Sequence, residues 1–314
     1  MQHYYKANNT ADLAKKNLEN ILANGIYEKR QVGNWCMKED KVEELIETYG
    51  VTFELTNPQN CITTQHCLGV EIETEDYILG LNPGFVHKSP WSFYKQWIKE
   101  DGKYHYTYGE RGGKHIFDVI DKLKKEPTTR QCVVTLFDTS KDFNEKFVPC
   151  TTQWVFYISQ GKLHMITTMR SQDACRGFFL DTFAYPLIQQ IVAQHLDIPM
   201  GTYKHIIFNS HIYKDDIDFA KRILKNINNE RPLIIDKITK DNMETMKLVS
   251  NWIFDMHDTV KAQEIAHALP QFWYGWKCNQ IIYEYTKHMQ KDPVPVELTC
   301  IGPVINVLPG KKTL

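Results

Sequence analysis

The stretch that most constrains the fold is residues 153–171, QWVFYISQGKLHMITTMRS. Two alternating runs flank Gln160-Gly161, a pair suited to a tight turn, so the segment predicts a β-hairpin. FAYPLIQQIVAQHLD (183–197) then reads as a buried helix, and GTYKHIIFNSHIY (201–213) as a further strand. A chain that interleaves long strands with a buried helix in this way belongs to the α/β (α+β) class.

The flanking segments fill in the same class. TADLAKKNLENILAN (10–24) has helical spacing, with Thr10 as a candidate N-cap and Gly25 as a stop. GVTFELT and the start of CLGVEIETEDYILG read as strands, HIFDVIDKLKKEP (115–127) as a helix ended by proline, and RQCVVTLFD as a β-branched strand. From about residue 240 the pattern is helical until Pro293 and Pro295. The expected division is a catalytic domain over 1–240 and a helical C-terminal extension over 241–314, packed on the same domain.

Composition excludes several classes. Lysine plus arginine nearly cancel aspartate plus glutamate, for a net charge of −1, so no overall field recommends nucleic acid or a membrane surface as partner. No apolar run approaches the roughly 20 residues of a membrane span, and the first residues lack the basic-then-apolar order of a secretory signal, which points to the cytoplasm. The eight cysteines show no CxxC spacing, so neither a zinc knuckle nor a disulfide framework is expected.

Three polar clusters stand out. In KFVPCTTQW, Cys150 follows a proline at the start of a strand, and Arg170 lies across the predicted hairpin, where a guanidinium can stabilise a thiolate and bind an anion. In NSHIY, alternation puts Asn209, His211 and Tyr213 on one face, able to bond a ligand hydroxyl; no metal-ligand spacing accompanies them. In VEIETEDYILG, Glu71, Glu73 and Glu75 share a face if the segment stays a strand: a solvated edge, unless one carboxylate points into a pocket as an acid/base.

Taken together, Pro149-Cys150, a strand pair, Arg170-Ser171-Gln172-Asp173, Gly177 and His211-Ile212-Tyr213, in that order, resemble the signature of the thymidylate synthase superfamily. The resemblance runs from about Glu73 to Tyr213, with a weaker extension around Gly25 to Arg30. It implies a thymidylate-synthase-like fold, a mixed sheet with flanking helices. It also implies roles: Cys150 as the nucleophile that adds to C6 of a pyrimidine ring, Arg170 with Ser171 as phosphate ligands, and Arg30 on the nucleotide. Asp173 would bond the pterin of 5,10-methylenetetrahydrofolate, and His211 with Tyr213 the sugar hydroxyl. EPTTRQCVV is similar to the segment that grips the partner's phosphate in a homodimer, which makes Arg130 a residue acting in trans. Glu73 is favoured over Glu71 and Glu75 as catalytic carboxylate, because Tyr77, Gly80 and Tyr108-Gly109 follow it at the family's spacing; Trp97 then falls on the folate side.

Three positions depart from the family pattern: Gln131 replaces the second arginine of a pair, Thr151 replaces the histidine after the cysteine, and Asp181 stands where an asparagine reads uracil. The last can be argued chemically. Uracil presents an N3–H donor and an O4 acceptor to an amide; cytosine reverses both. A protonated carboxyl can give its O–H to N3 and accept from N4–H, and burial raises a carboxyl's pKa toward that state. An unpaired buried polar edge costs about 1–3 kcal/mol, so such a site prefers cytosine by roughly tenfold or more.

The expectation is therefore an enzyme resembling deoxycytidylate 5-hydroxymethylases, often phage-encoded and then active in the host cytoplasm. It would act on a pyrimidine nucleotide monophosphate without binding nucleic acid directly. Rival readings are a 5-methyltransferase ending in hydride transfer, and a silent nucleotide-binding homologue. A methyltransferase using S-adenosylmethionine is disfavoured, since no glycine-rich strand-to-helix loop is evident.

Overall fold

A computed structural model describes residues 3–31, 42–65, 68–80, 98, 104–145 and 147–288, without the side chains of 31, 68, 69, 71, 76, 77, 283 and 285–288. The chain divides into two compact units, the first made of residues 1–65 and 110–233 and the second of 66–109 and 234–314.

The first unit is built on one mixed sheet. Its strands are β1 (His3–Ala7), β2 (Ile26–Gln31), β3 (Val42–Leu55), β5 (Val133–Thr135), β6 (Thr151–Ser159), β7 (Lys162–Met169), β8 (Gln172–Asp173) and β9 (Met200–Tyr213); β4 (Ile62–Thr63) pairs separately with β10 (Asn229–Arg231). The order is β1-β3-β9-β7-β6-β5, with β2 also on β3 and β8 also on β9. The predicted hairpin is β6–β7, and both turn residues take positive φ, Gln160 at 50° and Gly161 at 68°, the backbone of a turn whose twist matches the strands it joins.

From β7 the chain crosses through α6 (Gly177–His195) to β9, which pairs parallel with β7. A parallel pair needs such a crossover, and the sequence between supplies it: every residue from Phe178 to Ala193 is buried. α1 (Thr10–Asn24) packs on β3, β1 and α6, and α4 (Ile116–Lys125) on α6 and β6. The α1 N-cap is Asn9, whose side chain accepts from the Asp12 N–H at 2.9 Å, rather than Thr10, which is the first, buried, residue of the helix. Gly25 does end α1. It has extended backbone, and a Cβ there would lie 2.4 Å from Ile21 O and Ile46 Cγ2, so close approach is what requires glycine.

In the second unit the strand expected within 67–80 is instead α2 (Leu68–Glu73) followed by a wider helical turn, Thr74–Ile78, closed by Leu79 N–H to Thr74 O at 2.8 Å. The common face for Glu71, Glu73 and Glu75 dissolves with the strand. Alternation misled because the acidic residues are not a solvated edge: Glu73 and Glu75 are buried along with Val70, Ile72 and Ile78. Glu75 is ion-paired with the fully buried Lys277 of α10 (Gln271–His288), and it accepts from Trp276 Nε1 at 3.1 Å, Gln280 Nε2 at 2.8 Å and Ser250 Oγ at 2.8 Å. Ser250 belongs to α8 (Lys240–Phe254), which with α9 (Thr259–Ala266) completes the helical region expected after residue 240. Among the described residues no helix is long and apolar enough to cross a membrane.

Candidate active site

The hairpin positions the thiol. Cys150 immediately precedes β6, and its carbonyl accepts from Arg170 N–H at 2.8 Å just beyond the end of β7. The Arg170 guanidinium then folds back over the same turn, donating to Pro149 O at 2.9 Å, to Val148 O at 3.1 Å and to Cys150 Sγ at 3.6 Å. One side chain thus fixes the loop and sets a cation on the sulfur. Cys61, Cys132, Cys175 and Cys278 are buried, whereas Cys150 is half-buried. Burial pushes its thiol up, Arg170 pulls it down, and a charged Asp181 pushes it up again.

Asp181 occupies the first turns of α6 and is buried. Burial raises its carboxyl to about 7 against hydrogen bonds from Gln172 and Tyr185, which favour the anion. Gln172 Nε2 donates to Oδ2 at 2.6 Å. Neutral and charged forms are therefore close in energy near neutral pH, and a neutral Asp181 removes its opposition to the Cys150 thiolate. Among the described residues, a Cβ at Gly177 would meet only Asp181 Oδ2, at 3.9 Å.

β8 carries the Arg-Ser-x-Asp quartet onto β9, in register Gln172 with Ser210 and Asp173 with His211. His211 Nδ1 meets Asn209 Oδ1 at 3.0 Å and Ser171 Oγ at 3.4 Å, and its ring lies edge-on to Tyr213 at 5.1 Å. An amide oxygen beside Nδ1 requires the proton there, which leaves Nε2 as an acceptor. That atom is buried and has no hydrogen-bond partner among the described residues, and burial keeps the ring neutral by lowering its pKa. The unit thus holds out one acceptor for a ligand hydroxyl.

Asp173 Oδ1 accepts from the backbone N–H of Cys175 at 2.7 Å and of Arg176 at 3.2 Å. Its Oδ2 is buried without a hydrogen bond among the described residues, 3.5 Å from Arg176 Nη1, and burial raises the carboxyl's pKa. Arg176 itself forks onto Asp216 and lies over the Phe219 ring at 5.3 Å.

Arg30 is engaged. Its guanidinium donates to Glu47 at 3.0–3.2 Å and to Tyr49 at 2.6 Å. Burial pushes Glu47 up, but the bonds from Arg30, Tyr49 and Asn209 outweigh it and hold the carboxylate below its ordinary value. Glu47 is the cross-strand partner of His211, so Arg30 joins the cluster through a residue that sequence reading passed over. Thr151 turns inward, its hydroxyl 2.5 Å from Tyr185 OH. Arg130 and Gln131 are exposed on the loop before β5. Glu73 lies in the second unit, and Trp97 falls outside the described residues.

The first unit thus brings Cys150, Arg170, Ser171, Asp173, Gly177, Asp181, His211 and Tyr213 onto one end of the β6-β7-β9 layer and the head of α6. Such an arrangement is a cysteine-centred polar cluster set on the rim of a mixed sheet. The chain belongs to the thymidylate synthase family, whose family model (Thymidylate synthase) matches residues 19–266. It is 28% identical over 158 residues to Thymidylate synthase 1 of Bacillus spizizenii, covering 46% of this chain and 57% of that one. Identity and coverage are the same for Thymidylate synthase of Bacillus phage phi3T. The match therefore spans little more than half the length of these relatives. The thermostable thymidylate synthase A from Bacillus subtilis superposes with a TM-score of 0.60 at 20% identity, over 71% of this chain and 86% of that chain, which shows the shared fold.

Proposed function

We propose that the chain is a cytidylate 5-hydroxymethylase, transferring a one-carbon unit from 5,10-methylenetetrahydrofolate to C5 of (d)CMP. The observation that carries the reading is Asp181: a buried carboxyl, poised near neutrality, at the position where family members read uracil with an amide. Protonated, it offers an O–H to cytosine N3 and a lone pair to N4–H₂, a pattern uracil cannot satisfy.

In this mechanism the Cys150 thiolate, steadied by Arg170, adds to C6, and electron density moves to C5. Donation from Asp181 to N3 draws electrons from the ring and assists that attack. The folate supplies the methylene that C5 captures; Asp173 Oδ2, a buried acceptor without a hydrogen bond among the described residues, fits a pterin N–H. Once C5 has lost its proton and tetrahydrofolate has been eliminated unoxidised, water adds to the exocyclic methylene and the Cys150 thiolate leaves C6, with Glu73 managing the proton and water steps. His211 Nε2 accepts a sugar hydroxyl, with Tyr213 beside it. Arg170 and Ser171 take the phosphate, joined by Arg30 once it exchanges Glu47 for the nucleotide.

The working form is a homodimer in which Arg130 reaches the partner's phosphate. Supporting this, the sheet face opposite α6 carries half-exposed or exposed Val133, Val155, Ile166 and Ile206, a row suited to a second copy.

Incubation with dCMP, CMP or dUMP plus methylenetetrahydrofolate, followed by mass spectrometry, tests the reading. A gain of CH₂O on cytosine with tetrahydrofolate released is expected. A gain of CH₂ with stoichiometric dihydrofolate would replace hydroxymethylation by methylation. Absence of tritium release from C5, as in Cys150→Ala, would make the chain a silent homologue.

A further inference from the structure

Behind Asp181 runs a polar chain that neither the motif nor the proposed chemistry uses. Gln172 Nε2 meets Asp181 Oδ2 at 2.6 Å, Gln172 Oε1 meets His205 Nε2 at 2.8 Å, and His205 Nδ1 meets the Tyr203 hydroxyl at 2.5 Å. All four side chains are buried, and the His205 ring is packed by Phe178, Tyr185 and Tyr203. A histidine, a glutamine and a tyrosine buried in a row, each bonded to the next, form a network whose members can be satisfied in few ways.

With the Gln172 amide nitrogen toward Asp181 and its oxygen toward His205, the chemistry of the remaining groups sets the direction of the whole chain. Burial pushes His205 down to about 3, so the ring is neutral and carries one proton. An amide nitrogen can only donate, so Oδ2 of Asp181 is an acceptor, and the amide oxygen faces His205. That oxygen can only accept, so the His205 proton is on Nε2. Nδ1 is then bare and takes the Tyr203 hydroxyl proton. Every donor of the Tyr203–His205–Gln172 row points toward Asp181 Oδ2. The Gln172 bond makes Oδ2 the carbonyl-like oxygen, which favours a proton on Oδ1.

We propose that Gln172 and His205 are positioning residues for base recognition, holding Asp181 with Oδ2 as acceptor and the proton on Oδ1, the arrangement complementary to the N3/N4 edge of cytosine. The proposal rests on the reading of Asp181 as the residue that meets the base. Without the His205 donor, the Gln172 amide is able to turn over and present its oxygen to Oδ2. The proton is then drawn to Oδ2, and Oδ1 becomes an acceptor, the partner of uracil N3–H.

Two measurements test this. The first is direct: the ring ¹⁵N shifts of His205 in the folded protein should report the Nε2–H tautomer, and an Nδ1–H tautomer would overturn the chain's direction. The second is functional. His205→Phe keeps an aromatic ring in the same packing, and should lower the ratio of kcat/KM for dCMP over dUMP by roughly tenfold, chiefly by slowing the cytosine substrate. In an Asp181→Asn background the same change should move that ratio less than about twofold, since the effect acts through Asp181. Equal losses on both nucleotides, or an undiminished effect in the Asn background, would reduce the chain to packing. Wild type without cytosine preference overturns the reading of Asp181 and this inference together; a selective wild type whose ratio survives His205→Phe overturns this inference alone.

Discussion

Each of the two units buries a carboxylate under several hydrogen bonds, and they do so in opposite ways. Glu75, in the second unit, faces the Lys277 ammonium together with donors from Trp276, Gln280 and Ser250. Asp181, in the first, receives neutral donors among the described residues, Gln172 and Tyr185, and burial raises it to about 7. A buried charge answered by an opposite charge is committed to one state, and breaking the pair is costly. A buried carboxyl answered by neutral dipoles keeps its proton negotiable, and a ligand edge can decide it. The first arrangement suits structure and the second suits recognition.

The largest effect should come from breaking the committed pair. Lys277→Met leaves Glu75 as an uncompensated buried charge and should cost about 3–5 kcal/mol, read from urea denaturation followed by tryptophan fluorescence. Changing Glu75→Gln in the same chain should recover most of that loss. A Lys277→Met protein as stable as wild type would remove the contrast.

Next is pH. Folded Asp181 binds a proton in a range where the unfolded carboxyl, at 3.8, does not. Its contribution to stability is therefore complete below about pH 3.8 and is lost as pH rises through about 7, at most about 4 kcal/mol in all. Buried His205 and His211, with lowered values, act in the opposite direction, so the contribution is read as the difference between wild type and Asp181→Asn: from about pH 5 to about pH 8, wild type should lose urea midpoint relative to the variant. A smaller change sharpens the same point: Tyr185→Phe removes a donor that favours the anion, so the fall should move to higher pH at a cost of about 1 kcal/mol. A shift to lower pH would reverse the assigned direction.

These two carboxylates also mark what could be read without coordinates. The hairpin, α6 and β9 were legible because their signals are local: alternation, a turn pair, an unbroken apolar helix. The approach of Arg170 to Cys150 follows from the hairpin alone. Asp181 was legible because it departs from a motif whose other members stand in order. The acidic run shares a face only if it stays a strand; it is helical instead, and the partner of buried Glu75 is Lys277, 202 residues on. Gln172, His205 and Glu47 were passed over for a related reason. A polar residue inside a strand pattern looks like a surface position until its partner, 33 residues away for Gln172 and His205, is known. Long-range pairing of buried polar groups leaves little trace in periodicity.

The central claim is that Asp181 makes this site read cytosine. It is tested most directly by C5-tritium release from dCMP and dUMP, each with methylenetetrahydrofolate, in wild type and Asp181→Asn. Wild type should favour dCMP by about tenfold or more in kcat/KM, and the Asn variant should shift toward dUMP by a similar factor. A wild type that favours dUMP, or a variant that keeps full cytosine preference, would contradict it.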